Sequence, residues 1–413
     1  MQVRSVAIAL LVAHVLSLLG FSTYAVALTQ LQAQWGLSNS EAGWIASGFF
    51  IGYVATVSTW SSLTDVIDAR RIYAAGSLIA ASGSIGFAIG AEGFISALGF
   101  QILLGIGIAA TYMPGLKILS DRTTGKEQSR FVAFYTAFFG IGAASSLFLA
   151  GQSLPVLGTN WTFFLCALGP LLGALIVLSR TRPLAHERHP AAIHWSWQRL
   201  FPIATWKRVL SDRKCLGYTV GYGVHCTELF GSRTWIVAFL IFSAASLPAG
   251  TVTWVSAASA AAIVSILSVP ASIIGNEIAL KIGRRGWIVI SMAMTSLVGV
   301  AMALAGGSHW LIVFLLVAVY SMLIMADSAT LTAGLVSSAE PGVKGAAMGL
   351  YSLIGFGGGG VLGPAIFGFA LDLSGRGLTP VSWAIGFATL GLGCLLFPLF
   401  DWWLHRTNPF RDR

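Results

Sequence analysis

The segment Gly223–Leu240, GVHCTELFGSRTWIVAFL, constrains this chain more than any other stretch. It has the apolar continuity of a buried helix, yet it carries His225, Glu228 and Arg233. An ionisable side chain at the centre of a bilayer costs roughly 2.5–3.5 kcal/mol on insertion scales, so such residues mark pathways and binding sites. Three of them in one span predict a site that binds a solute or handles protons. The competing account is interhelical glue, in which backbone or hydroxyl groups of neighbouring helices satisfy them.

The rest of the chain gives that helix a membrane to cross. Of 413 residues, 56% are hydrophobic and 9% charged, with mean hydropathy +0.81. So few charges cannot cover a soluble surface, which makes this a polytopic membrane protein. Counting runs of roughly 20 apolar residues predicts an all-α chain of twelve transmembrane spans. They lie near 5–29, 40–62, 72–91, 95–118, 130–151, 160–180, 215–242, 250–274, 286–305, 309–336, 344–371 and 381–403. The expected domains are an N-terminal six-helix bundle over 1–180, a cytoplasmic linker over 181–214 and a C-terminal six-helix bundle over 215–413. Trp195, Trp197 and Trp206 among the linker's basic residues predict an amphipathic segment at the membrane interface. Arg4 and Ala25-Val26-Ala27 imitate a signal peptide, but the apolar run between them is too long, so it is read as a retained first span.

The net charge of +9 follows topology. Lys and Arg fall in the loops at 63–71, 119–130, 181–214, 276–285 and 337–344 and in the tails, while loops on the other face offer only Arg376. This positive-inside pattern places both termini in the cytoplasm, and a bacterial inner membrane is expected. Trp35, Trp161, Trp310 and Trp383 fall near the outer ends of spans, where an aromatic belt belongs. The expected partners are a small-molecule substrate, protons and membrane lipid, with no nucleic acid, and the working form is a monomer. Cys166, Cys215, Cys226 and Cys394 have no metal spacing, so neither metal nor cofactor is expected. Without a nucleophile elbow or phosphate loop, an enzyme is not expected either.

The chain also repeats itself. A shift of 211 aligns span 1 with span 7: His14 meets His225, Gly20 meets Gly231, Thr23 meets Thr234 and Tyr24 meets Trp235. At nearly the same shift Trp44 meets Trp254 and Arg70-Arg71 meets Arg284-Arg285. Further on, Phe134-Tyr135-Thr136 meets Leu350-Tyr351-Ser352. A His, a Gly and a Trp in one register indicate duplication. Two such bundles about a pseudo-two-fold axis along the membrane normal are the architecture of alternating-access transporters.

In these features the chain resembles the major facilitator superfamily along essentially its whole length. That family carries Gly-x-Leu-x-Asp-x-x-Gly-Arg-Arg between spans 2 and 3. Here Leu63, Asp65, Arg70 and Arg71 match, while both glycines are replaced. The second copy, from Gly275 to Arg285, keeps Gly275, Gly283, Arg284 and Arg285, lacks the acid and has one residue more between the glycines. The resemblance implies a cytoplasmic gate of charge contacts drawn from Asp65, Arg70, Arg71, Asp121, Arg284 and Arg285, the bland alternative being residues that only fix topology. Span 4 has Gln101 where the family's proton-linked arginine would stand, and span 5 lacks the antiporter glycine-proline pair, which weakens a drug–proton antiporter reading. A similar run, Gly357–Gly360 with Gly363-Pro364, lies in span 11.

Helix arithmetic then selects the site. With Glu228 near mid-membrane, a rise of 1.5 Å per residue puts His225 about 4.5 Å to the cytoplasmic side and Arg233 about 7.5 Å to the other. Asp327, on the antiparallel span 10, falls about 7.5 Å to the cytoplasmic side by the same rise, a depth similar to that of His225. Burial disfavours charged forms, so Glu228, Asp327 and His225 are candidates for proton coupling. Arg233 stays charged under almost any condition and is the candidate anchor for an anionic substrate. His14, His225, Tyr24 and Trp235 complete the expected substrate-binding set, with Tyr112 and Tyr222 as further lining residues; the alternative for each is packing. The expected function is secondary active transport of a small organic anion by alternating access, coupled to protons. The alternatives are an efflux pump for neutral or cationic compounds and a non-transporting membrane sensor.

Overall fold

The computed structural model describes residues 3–406, except 65, 124, 184–200, 250, 252, 341 and 342. Asp65 and half of the expected linker, 184–200 with Trp195 and Trp197, therefore lie outside the described residues. The chain is all-helical. In order it forms α1 (Val3–Ser17), α2 (Thr23–Trp35), α3 (Asn39–Leu63), α4 (Ala69–Gly90), α5 (Phe94–Ser120), α6 (Gly125–Arg180), α7 (Ile203–Ser211) and α8 (Arg213–Ala245). There follow α9 (Ala257–Ile282), α10 (Arg284–Leu304), α11 (Trp310–Ala326), α12 (Ser328–Ser338), α13 (Lys344–Ser352), α14 (Gly360–Leu373) and α15 (Pro380–Arg406).

Among the described residues, eleven helical runs are long and apolar enough to cross a membrane. One of them, in α6, is twice the usual length and breaks at Gly158, whose φ of 75° suits a residue without Cβ. Counted on either side of that break, the runs number the twelve expected. The other breaks fall inside single spans. A 3₁₀ turn at Leu18–Gly20 separates α1 from α2, Asp327 separates α11 from α12, and a π-helical segment at Leu353–Gly359 joins α13 to α14.

One expected boundary is wrong. Span 8 begins at Ala257 as α9, and Trp254 lies in the bend before it. The run Leu247–Ser256 is apolar enough to read as membrane, but Pro248 removes a helical donor and ends α8 instead. Trp44, inside α3, is therefore not the structural counterpart of Trp254. The true equivalence is a backbone contact. A Cβ on Gly52 would sit 2.0 Å from the Ile102 carbonyl oxygen, and one on Gly275 1.8 Å from that of Ala326. The same helix pair meets at a glycine in each half of the sequence.

The chain folds into two compact units, and their division departs from a linear one. Unit one comprises Met1–Leu37, Gly48–Phe201 and Ala258–Ile266; unit two comprises Ser38–Ser47, Pro202–Ala257 and Leu267–Arg413. The start of α9 thus belongs to unit one, where Gln152 Nε2 donates to Ser259 Oγ at 2.8 Å. The start of α3 belongs to unit two, where the Asp372 carboxylate accepts four hydrogen bonds. They come from Asn39 N, Asn39 Nδ2, Ser40 N and Ser40 Oγ, at 2.6–3.0 Å. That carboxylate caps otherwise unpaired donors at a helix N-terminus.

In unit one α4 and α6 pack closely together, with α1 against α6. Tyr73 and Tyr135 are fully buried, and Ser17 Oγ and the Tyr73 hydroxyl are hydrogen-bonded at 2.9 Å. In unit two α8 is the central helix, with a larger buried share than any other span. It starts where Asp212 accepts from Cys215 N at 2.8 Å. Its middle leans on the glycine-rich run of span 11, where a Cβ on Gly363 would lie 2.3 Å from the Thr227 carbonyl oxygen.

Candidate functional site

The ionisable residues of α8 point to different partners. His225 and Asp327, placed at similar depth by helix arithmetic, have His225 Nδ1 and Asp327 Oδ1 2.8 Å apart, both side chains almost wholly buried. Asp327 Oδ1 nevertheless has no aligned hydrogen-bond donor, and His225 Nε2 has no hydrogen-bond partner among the described residues. The two atoms are close without hydrogen-bond alignment. Asp327 reaches His225 because the helix breaks there. At that break Trp287 Nε1 donates to the Ala326 carbonyl at 2.9 Å, and Ala329 N donates to Ser272 Oγ at 3.2 Å. Freed backbone groups at membrane depth are thus satisfied by side chains, the condition under which an interrupted span is tolerated. Tyr222 stacks on His225 with centroids 5.8 Å apart and on Tyr351 at 3.7 Å, and the Tyr351 hydroxyl and Thr332 Oγ1 are 3.0 Å apart.

Glu228 is 3% exposed. The Tyr320 hydroxyl donates to its Oε1 at 3.3 Å and the Cys394 thiol to its Oε2 at 3.1 Å. Neither donor carries a charge, and no cation pairs with Glu228 among the described residues. Sequence reasoning missed both donors. Tyr320 lies on another helix with no pattern to flag it, and Cys394 reads as one more apolar residue in α15.

Arg233 is half-buried and, among the described residues, makes no ion pair or hydrogen bond. It is a mid-span guanidinium, five residues from a carboxylate that it does not engage.

The remaining expected residues are placed differently. His14 is 1% exposed, stacked on Tyr135 at 4.3 Å and flanked by Tyr112 and Phe139 in unit one. Neither of its ring nitrogens has a hydrogen-bond partner among the described residues. Tyr24 packs edge-on to Phe87, and Trp235 stacks on Phe367 while its Nε1 donates to the Pro364 carbonyl at 3.0 Å. Tyr24 and Trp235 are 2% and 1% exposed, as deeply buried as His225 and Glu228.

At the loop ends, Arg70 forks onto Asp68 and donates to the Thr181 carbonyl at 2.6 Å. Asp68 also caps α4, accepting from Arg70 N at 2.9 Å. Burial pushes the Asp68 carboxyl up, but the hydrogen bonds from Arg70 and the charges of Arg70 and Arg71 outweigh it and hold it below the usual aspartate range. Asp121 pairs with Lys117 at 3.1 Å, Arg71 is exposed, Arg284 donates to Ser337 Oγ at 2.9 Å and Arg285 pairs with Asp401. Arg70, Asp121, Arg284 and Arg285 thus have partners within their own units, while Arg71 is exposed.

Comparison with known proteins gives the class. The chain belongs to the Major Facilitator Superfamily, whose family model matches residues 10–364. It is similar to the niacin transporter NiaP of Acinetobacter baylyi, 22% identical over 37% of this chain and 34% of that one. It is also similar to the MFS-type transporter pgmG of Aspergillus terreus, 27% identical over 30% of this chain and 22% of that one. The chain thus matches about a third or less of the length of these relatives. Among solved structures, a bacterial homologue of the human lysosomal transporter Spinster superposes with TM-score 0.76 and 14% identity, covering 97% of this chain and 96% of that one. The nucleoside transporter NupG superposes with TM-score 0.73 and 12% identity, covering 97% and 98%. At these identities the structures establish the fold alone. The chain is a multi-pass membrane protein of a secondary-transporter family, and membership points to a transporter rather than an enzyme.

Proposed function

We propose that this protein moves a small organic anion across the membrane by alternating access, coupled to protons. The observation that carries the reading is Arg233, a permanent charge inside a transmembrane helix, half-buried and without a described counter-charge. Such a group is expensive in a membrane and is retained where it meets a ligand. Glu228 is the proton carrier in this reading, since a buried carboxylate held by two uncharged donors can exchange a proton without breaking an ion pair. His225 and Asp327 form a second exchangeable pair, whose contact strengthens when the ring is protonated. His14 lies outside the substrate set in this reading, because aromatic rings enclose it. Arg70, Arg71, Asp121, Arg284 and Arg285 serve the cytoplasmic gate, with Asp68 joining them as the acid that holds Arg70. The protein sits in a bacterial inner membrane as a monomer, with both termini cytoplasmic.

Purified protein in liposomes tests the reading. A screen of organic acids and amines for thermal stabilisation selects a ligand, and uptake of that ligand is then followed under an imposed pH gradient. Arg233→Ala should weaken binding of the anion at least about tenfold, as loss of a charge-assisted pair does. Glu228→Gln should abolish pH-driven uptake while leaving binding intact. If amines alone stabilise the protein, or if Arg233→Ala leaves anion affinity unchanged, the anion reading fails in favour of a cationic cargo.

A further inference from the structure

Charged residues of unit two, Arg284 and Arg285 of the proposed gate among them, line a cavity away from Glu228 and Arg233. It has a volume of about 660 Å³ and lies at the ends of α8, α10, α12 and α15. Lys214, Arg284, Arg285, Tyr218, Ser337 and Asp401 are among its lining residues. It opens more than four helical turns along α8 from Arg233, about 20 Å at 1.5 Å per residue. The two sites are therefore separate.

We propose that this cavity binds a phosphate group, the chemistry shared by an anionic phospholipid headgroup and a soluble phosphate ester. Three cations face one carboxylate, so the lining is positive overall. Asp401 is already engaged by Arg285, whose Nη2 also donates to the Asp401 carbonyl at 3.3 Å. Arg284 is the informative residue. One arm of its guanidinium donates to Ser337 Oγ at 2.9 Å, but its Nε–H is buried without a hydrogen-bond partner among the described residues. A buried donor without an acceptor is costly, and an oxyanion in the cavity removes that cost. The guanidinium fork matches two oxygens of a phosphate better than it matches a single carbonyl. Both arginines also open α10 behind Gly283, which has φ of 95° and no side-chain cap, so the dipole of a 21-residue helix adds to the field at the cavity.

The test uses full-length protein in a neutral detergent. Short-chain phosphatidylglycerol and glycerol 3-phosphate are titrated separately, with thermal stability and native mass spectrometry as readouts. Both ligands carry the phosphate and only one carries acyl chains. Binding of both places recognition in the phosphate, and binding of the lipid alone identifies the membrane as its source. Arg284→Gln should weaken whichever binding is seen at least about tenfold. Lys214→Gln carries the same expectation should Arg284→Gln fail to fold. Arg208→Gln, an exposed arginine paired with Glu340 outside the cavity, should bind like the parent. The proposal is overturned if neither ligand binds, if both cavity variants bind as the parent does, or if Arg208→Gln loses as much affinity as they do.

Discussion

Glu228 owes its setting to two residues that look unremarkable in isolation. A carboxylate taken out of water must keep its hydrogen bonds, because a buried oxygen left without a donor costs about 1–3 kcal/mol. Tyr320→Phe removes the donor to Glu228 Oε1 and keeps the ring's packing. It should lower stability by that order, about 1–3 kcal/mol, read as a fall in Tm in detergent; an unchanged Tm would mean that Glu228 finds another donor. Asp68 supplies a pH test outside the membrane. Its folded pKa lies below the ordinary value, so its stabilising contribution is complete above the unfolded pKa of about 3.9 and is lost as pH falls through the lower folded value. Asn can still cap α4 but cannot hold Arg70 by charge. The Tm difference between the parent and Asp68→Asn should therefore be constant between about pH 7 and 5 and shrink below about pH 4. At this scale the sequence reveals charges better than partners. His225, Glu228, Arg233 and Asp327 stand out because charge is rare in apolar runs. Tyr320 and Cys394 do not, since their role depends on which face of a distant helix meets α8. Asp68 was legible in principle, as an aspartate just ahead of a helix, but the neighbouring Asp65 fits the family pattern and draws attention away from it.

Helices in this chain meet at glycines, and the closest meetings involve backbone on both sides. On α3 and α5 the contact is reciprocal. A Cβ on Gly105 would sit 1.9 Å from the Phe49 carbonyl oxygen, just as one on Gly52 would crowd Ile102. A backbone carbonyl cannot swing aside as a side chain can, so Gly52→Ala and Gly275→Ala must push whole helices apart. Overpacking of this kind costs about 1–3 kcal/mol or more, and folded yield and Tm should fall for both variants. Gly345→Ala, in an exposed first turn with open space around it, should change neither. Equal behaviour of the three variants would refute the packing argument. The positions of the spans were readable because twenty apolar residues are hard to mistake. Their internal breaks were not. The interruption at Asp327 and the π-helical segment at Leu353–Gly359 depend on contacts with α8, α9 and α10, which no local pattern announces. The start of α9 was misread for the opposite reason: hydropathy continues through Leu247–Ser256, where the helix does not.

The duplication is a property of the whole molecule, and it shows in backbone more than in side chains. Gly52 and Gly275 keep the same helix-to-helix approach in the two units, whereas the aligned Tyr24 and Trp235 have different aromatic neighbours. Close helix approach at glycine is what the two units share, while the intramembrane charges lie on α8 and its neighbours in unit two. The loop charges predict the orientation of that scaffold, which determines the side that the proposed phosphate cavity and gate residues face. The protein offers a clean way to test it. Cys166, Cys215, Cys226 and Cys394 are all buried, so an introduced cysteine is read against a silent background. Arg208 lies on exposed α7 at the basic end of the molecule, and Leu378 is 78% exposed in the loop between α14 and α15. In intact cells a membrane-impermeant maleimide should label Leu378→Cys at once and Arg208→Cys only after permeabilisation. The reverse pattern would place Lys214, Arg284 and Arg285 on the outside. It would leave anionic lipid of the cytoplasmic leaflet no access to the cavity, and it would require the gate residues to close the opposite face.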